Sequence, residues 1–238
     1  MRKIFFLILL TVFCLADKPA LSNNNFPGQI EYLIKDYINK DVGFVTANIN
    51  ARTVTGTNDN KKYYQMESQE GKYFRNVAIL NHDDFTTVEE KRYDVNGKII
   101  ESYIRHPDGK INFFHKDKKI NLNSTAGNNV YSRYAFLFSL SGFPFEKKDK
   151  VVMDVYMFEY GNSLYLRAAY KGKETIKVPA GEFLCYKLEL AVDGVQGLFA
   201  PDKYYLYYTV AAPHHFVRFD QKVDTGQWLS NELIQVKY

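Results

Sequence analysis

Cysteine, proline and tryptophan are scarce in this chain of 238 residues, which has two, seven and one of them. Cys14 lies inside an apolar N-terminal run, so a protein that sheds that run keeps Cys185 alone and can close no internal disulfide. Stability must then come from a packed core, and the chain is long enough to bury one as a single domain. No histidine or basic cluster lies beside Cys185 in sequence to favour a thiolate, and it reads as a structural residue. The motifs that carry catalysis are missing too. There is no H-E-x-x-H or paired C-x-x-C for a metal, and no G-x-x-x-x-G-K-S/T to cradle a phosphate. Ser139-Leu140-Ser141-Gly142 lacks the first glycine of a nucleophile elbow.

Few side chains remain that could build a site. His214 and His215 are adjacent and, on a strand, would point to opposite faces. His82-Asp83-Asp84 has metal-compatible types in a turn-like setting, His106 precedes Pro107, and His115 ends an apolar alternation. Glu89 and Glu90 would also face opposite ways, unlike the convergent carboxylates of a glycosidase. The expectation is no metal, no cofactor and no enzyme activity.

What is present at the N-terminus is an export signal. Arg2 and Lys3 precede an apolar run from Ile4 to Leu15, and small residues follow. The run is about a dozen residues, short of the roughly 20 that span a bilayer as a helix. Cleavage after Ala16 or after Ser22 fits. Residues 1–22 are read as the signal peptide and 23–238 as a single antiparallel β domain. Removing residues 1–22 takes Arg2, Lys3, Lys18 and Asp17, so 31 basic and 27 acidic side chains become 28 and 26. So small an excess makes a poor nucleic-acid binder.

The rest of the chain reads as short strands between turn signals. Glu70-Gly71, Asn96-Gly97 and Asp108-Gly109 separate β-rich runs, which suits an antiparallel meander. Gln29–Asn39 is ambiguous, since its apolar residues match both helical and alternating spacing; strand is the reading taken. Asn121–Asn129 reads as a loop, and Tyr131–Leu140 as the one helix, stopped by Gly142 and Pro144. Around Tyr165–Leu190 the pattern is strand, a turn at Lys171-Gly172-Lys173, strand, a Val178-Pro179-Ala180-Gly181 corner, and strand. In the last strand Leu184, Tyr186, Leu188 and Leu190 share one face, and Cys185, Lys187 and Glu189 the other.

Several of these segments resemble the exported bacterial family called domain of unknown function 3108. The run Lys173–Phe183 (KETIKVPAGEF) resembles its signature, and Phe26–Tyr32 resembles its opening, with Gln29 in place of a glutamate. Val42-Gly43 and Tyr204–Phe219, with Ala212-Pro213 at its centre, also resemble it, although Tyr207-Tyr208-Thr209 departs from the usual Trp-x-Ser. The resemblance implies an exported all-β domain and no particular activity.

The fold expected is all-β: a single curved antiparallel sheet or incomplete barrel, lipocalin-like or lipoprotein-carrier-like, with one short helix. Tyrosine and phenylalanine number 19 and 18, more than a minimal core needs. A concave aromatic face could take an apolar or lipid-like ligand, lined by Tyr134, Phe138, Tyr186, Tyr205 and Tyr207. The expected protein is exported, periplasmic or associated with the cell envelope, and not membrane-spanning. One alternative is an envelope structural or interaction protein that works through a protein partner. Another is an outer-membrane β-barrel, suggested by the alternation Ile234, Val236, Tyr238.

Overall fold

The computed structural model describes residues 20–23, 26–38, 41–56, 59–70, 73–106, 108, 110–125, 129–157, 162–194, 197, 204–222 and 226–238. In chain order the strands are β1 (Gln29–Ile38), β2 (Asp41–Thr55), β3 (Lys62–Glu70), β4 (Phe74–Asn81), β5 (Thr87–Tyr93), β6 (Ile99–Arg105), β7 (Lys110–His115), β8 (Lys118–Thr125) and β9 (Val130–Ser132). A four-residue helix, α1 (Phe136–Ser139), and a 3-10 turn (Leu140–Gly142) follow. The chain then forms β10 (Lys150–Met157), β11 (Asn162–Val178), β12 (Gly181–Val192), β13 (Tyr204–Thr209), β14 (Phe216–Lys222) and β15 (Trp228–Lys237).

All fifteen strands make one sheet in the order β8-β7-β6-β5-β4-β3-β2-β1-β15-β14-β13-β12-β11-β10-β9. The expected curved antiparallel sheet with one short helix is what forms. Two meanders run outward from the β1–β15 pair, and every pairing is antiparallel except β9 with β10. Local turn chemistry explains much of this order. Asp94 Oδ1 accepts the amides of Asn96 and Lys98, while Gly97 supplies a φ of 74° between β5 and β6. Val178 pairs directly with Gly181, so Pro179-Ala180 is a two-residue hairpin loop.

The sheet is curled. Ile30, Tyr32 and Ile34 of β1 point into the main core, as do Tyr64 and Met66 of β3, Ala78 and Leu80 of β4, and Leu188 and Leu190 of β12. The ambiguous Gln29–Asn39 segment is thus a strand through Ile38, because β2 and β15 saturate its backbone on both sides. Strand β9 is covered on both faces, and β10 on one face throughout and on the other at Tyr156. Tyr131, Met153 and Val155 belong to the main core, whereas Val130 and Tyr156 join a second cluster with Tyr103, Ile111 and Phe113 of β6 and β7. The last strands of one meander are therefore tucked beneath the outer strands of the other.

Five local readings change. Lys171-Gly172-Lys173 is no turn: β11 continues through it with a register shift between Tyr170 and Lys173, and Gly172 at φ 107° takes up the bulge. The bulge bends the β11–β12 tip until the Ala180 amide donates to the Leu233 carbonyl (3.1 Å). This second closure buries Cys185 on the face opposite Tyr186 and leaves Leu184 52% exposed, against the simple alternation. The segment 121–129 is not all loop, since β8 extends to Thr125 on a ladder with β7. The helix is shorter than its spacing suggests. Ser132 Oγ accepts the amides of Tyr134 and Ala135, turning the chain after β9 before Phe136 begins the helix. His214 and His215 precede β14 in a bend after the cis Ala212-Pro213 bond, with His214 at φ 55°.

Residues 20–22, assigned from sequence to the signal, are held by the domain. The Ala20 and Leu21 amides both donate to the Tyr131 hydroxyl, and the Ser22 amide to the Gly142 carbonyl (2.9 Å). Leu21 is only 2% exposed. A Cβ on Gly142 would sit 2.5 Å from the Phe85 ring and 2.8 Å from the Ser22 carbonyl oxygen. Gly142→Ala should therefore destabilise the domain by about 1–3 kcal/mol, through overpacking of a filled site. Urea unfolding measures this, and an unchanged midpoint would show that this corner gives way freely.

Candidate functional site

The concave face is filled by an insert rather than by strands meeting one another. Residues 136–142 form a plug whose Phe136, Phe138 and Leu140 side chains enter the main core. Phe138 packs edge-on against Phe26, Tyr64 and Phe85, with ring centroids 4.7 to 5.5 Å apart. α1 has no side-chain cap at its N-terminus. Two bonds tie the plug from outside: the Tyr208 hydroxyl donates to the Leu137 carbonyl (2.8 Å), and Ser22 to Gly142. Beyond the plug, Phe145 stacks on Tyr186 at 4.3 Å.

Of the five residues expected to line a cleft, Phe138 and Tyr186 lie on this concave side. Tyr205 and Tyr207 do not. Tyr186 pairs with Tyr208 across β12 and β13, while Tyr205 and Tyr207 pair with Glu189 and Lys187 on the other face. There the Lys187 ammonium lies over both rings, and Tyr205 stacks on Trp228. Tyr134 sits apart, in a polar seam between the two layers of the curl.

That seam went unnoticed in the sequence. Glu90 and Arg92 of β5 pair with Tyr103 and Glu101 of β6, and Glu101 pairs with His115 of β7, so all five share one face. The Tyr134 hydroxyl donates to Glu101 Oε2 (2.9 Å) and accepts from the Arg92 guanidinium. His115 Nε2 lies 3.3 Å from Glu101 Oε1. Arg92 also lies over the rings of Phe74 and Tyr134, at 4.1 and 4.7 Å. Glu90 is 1% exposed, and burial pushes its carboxyl up to about 8, with the negative Glu101 adding to the effect. The Ser132 hydroxyl and the Tyr134 amide bond to the Glu90 carboxyl, yet its Oε1 has no hydrogen-bond partner. Burial likewise raises the Tyr103 and Tyr134 phenols. The clue in the sequence is Glu101, a charge directly after the apolar pair Ile99-Ile100 of β6.

Elsewhere the chemistry is quiet. Burial pushes the Cys185 thiol up to about 12, so it is a weak nucleophile. His82 stacks on Tyr64 and sits 3.2 Å from Asp83, at the rim of an open depression of about 470 Å³ that Asn23 and Phe26 complete. A second open depression of about 390 Å³ is lined by Gln29, Asn50, Ala51, Arg52, Gln65 and Glu67. Among the described residues, no three His, Cys, Asp or Glu side chains gather as metal ligands.

With this geometry in hand, the likeness to known proteins is informative about fold and family. The family model described as protein of unknown function (DUF3108) matches residues 32–233. The chain belongs to that family. The match begins within β1 and ends within β15, so it takes in both meanders, the plug and the seam. Among solved structures, a β-barrel-like protein of domain of unknown function DUF1849 from Brucella abortus aligns with a TM-score of 0.51 at 6% identity, covering 89% of this chain and 98% of its own. A presumed exported protein with a YmcC-like fold from Bacteroides fragilis aligns at 0.33 and 14% identity, over 92% of this chain and 100% of its own. No curated protein matches the chain in sequence.

The seam predicts an unequal response among tyrosines. Tyr134→Phe removes the hydroxyl that joins Glu101 to Arg92 and should cost about 1–3 kcal/mol, the range for leaving buried polar groups short of a partner. Tyr205→Phe, on the half-buried outer face, should fall within about 0.5 kcal/mol of the parent. Chemical denaturation of both proteins checks the contrast; equal midpoints would mean that the seam adds nothing to stability.

Proposed function

We propose that the protein is exported to the cell envelope and binds one apolar, lipid-like chain there without catalysing a reaction. The chain takes the place of the 136–142 plug on the concave face. One observation carries this reading: the plug is a seven-residue insert outside the strand ladder, yet it supplies Phe136, Phe138 and Leu140 to the main core. An occupant replacing it would meet Tyr64, Phe85, Tyr186, Leu188 and Tyr208, a surface mostly of rings. The basic-then-apolar N-terminus supports export. The high thiol pKa of Cys185 and the lack of a metal-ligand cluster among the described residues support binding over catalysis. No helix among the described residues is long and apolar enough to cross a membrane. The strand order has two ends, β8 and β9, whereas a spanning barrel closes on itself; this favours the carrier over the barrel. The exposed Trp228, stacked on Tyr205 beneath Lys187, favours as a second reading a protein-binding outer face.

Native mass spectrometry of protein purified gently from the envelope fraction, followed by lipid extraction, tests the carrier. A stoichiometric apolar adduct is expected. Tyr208→Phe, which frees the Leu137 carbonyl, should speed uptake of a fluorescent fatty acid severalfold. A clean apo mass that persists with added envelope lipids would sink the proposal.

The same sample locates the processing site. Because residues 20–22 hold Tyr131, Gly142 and the core, cleavage after Ala16 is proposed over cleavage after Ser22. The intact mass should place the N-terminus at Asp17. A chain beginning at Asn23 would rule this out while leaving export standing, and an uncleaved chain would count against export.

A further inference from the structure

The polar seam and the plug are consecutive in the chain. Ser132 ends β9, Tyr134 lies in the seam, and Phe136 starts α1. Ser132 Oγ accepts the Tyr134 and Ala135 amides, so the root of the plug is built on the same hydroxyl that bonds Glu90. Tyr134 is fastened a second time through Glu101 and Arg92. Glu90 therefore sits beneath the root of the plug, enclosed, with one carboxyl oxygen lacking a protein partner.

We propose that this seam is a proton-dependent latch, in which ionisation of Glu90 releases residues 132–142 from the concave face. The inference rests on reading the plug as the displaceable occupant of the ligand site. Its geometry follows from the groups around Glu90. From β5 comes Arg92, whose guanidinium is turned to Tyr134 and Glu101. β4 offers only Ala78 opposite Glu90, with Asn76 beside it. β6 brings Tyr103 directly across and the negatively charged Glu101 next to it. β7 adds His115, held against Glu101. From β9 and the following turn come the Ser132 hydroxyl, the Tyr134 amide and the Arg133 charge, which favour the ionised form less than burial opposes it. β10 contributes Asp154 and Tyr156, which act on Tyr103.

The direction follows from linkage. The closed latch holds the Glu90 proton up to about 8, against an ordinary 4.5. Closure is therefore fully favoured below about pH 4.5, weakens as the pH rises and levels off above about pH 8. Opening hydrates the carboxylate and separates it from Glu101.

Hydrogen exchange of the full mature protein, read by mass spectrometry and corrected for intrinsic rate, tests this. Protection of residues 132–142 should fall on the order of a hundredfold between about pH 6 and about pH 9, while β1–β4 stay protected. Glu90→Gln should flatten that dependence. An unchanged wild-type plug, or the same fall in Glu90→Gln, would overturn the latch. Should Glu90→Gln fail to fold, carbon-13 NMR of the wild-type glutamate carboxyls decides. One group titrating near 8 is expected, and none above about 5.5 would overturn the proposal. A plug that opens with pH in a protein that never takes up a fluorescent fatty acid would leave the latch standing and remove the carrier reading alone.

Discussion

A sheet of fifteen strands in one ladder has two open ends and two faces, and burying enough of both is the constraint from which the rest follows. Two-stranded or flat solutions would leave rows of apolar side chains in water. Here β1 pairs with β15, so the first strand and the last form the joint from which two meanders run outward. Natural twist curls them towards each other. The β9 end is then hidden under β5–β7, which explains why β10 buries Tyr156 on the face opposite Val151, Met153 and Val155. The bulge at Gly172 performs the same task for β11 and β12, turning their tip onto β14 and β15.

This arrangement sets what was legible. Strand positions followed from alternation and turn residues, because those are local: β7 and the Pro179-Ala180 hairpin need no distant partner to be recognised. Contacts between layers are not local. Leu184 and Cys185 exchange their expected environments because the β11–β12 tip meets Leu233, far along the chain. The helix over Tyr131–Leu140 is shortened because Val130–Ser132 pairs in parallel with Asp154–Tyr156, a ladder with no signature in either segment alone. Tyr186 and Tyr207 share a residue type, but strand registry puts them on opposite faces. The polar seam assembles from β5, β6, β7 and the turn after β9, and apart from Glu101 nothing in those segments advertises it.

Buried polar clusters of this kind are poor sources of stability and good sources of definition. Glu101 is the anchor, meeting Tyr134, His115 and Arg92 with hydrogen-bonding or ionic geometry. Glu90 is different, since it keeps one oxygen without a protein partner and has Glu101 as a neighbour. Ionising it in place would cost several kcal/mol, so the folded state keeps the proton instead. A residue held neutral in this way makes the layer above it sensitive to pH, and that layer is the root of the plug. A side chain that cannot ionise at this position would remove that sensitivity.

The energetics of the plug limit what could replace it. Phe136, Phe138 and Leu140 each gain roughly 1.5–3 kcal/mol from burial, so their combined contribution is on the order of 5–9 kcal/mol. An incoming chain gains about 0.8 kcal/mol for each buried methylene, which sets about 6 to 11 methylenes as the least that can compete. Immobilising the ligand raises that number further. A short apolar molecule would leave the plug in place, and a long acyl chain would displace it. Weakening the root of the plug lowers the threshold without altering the surface beneath. In the proposed carrier the seam and the concave face would divide the work, one setting when the face is open and the other what length of chain can hold it.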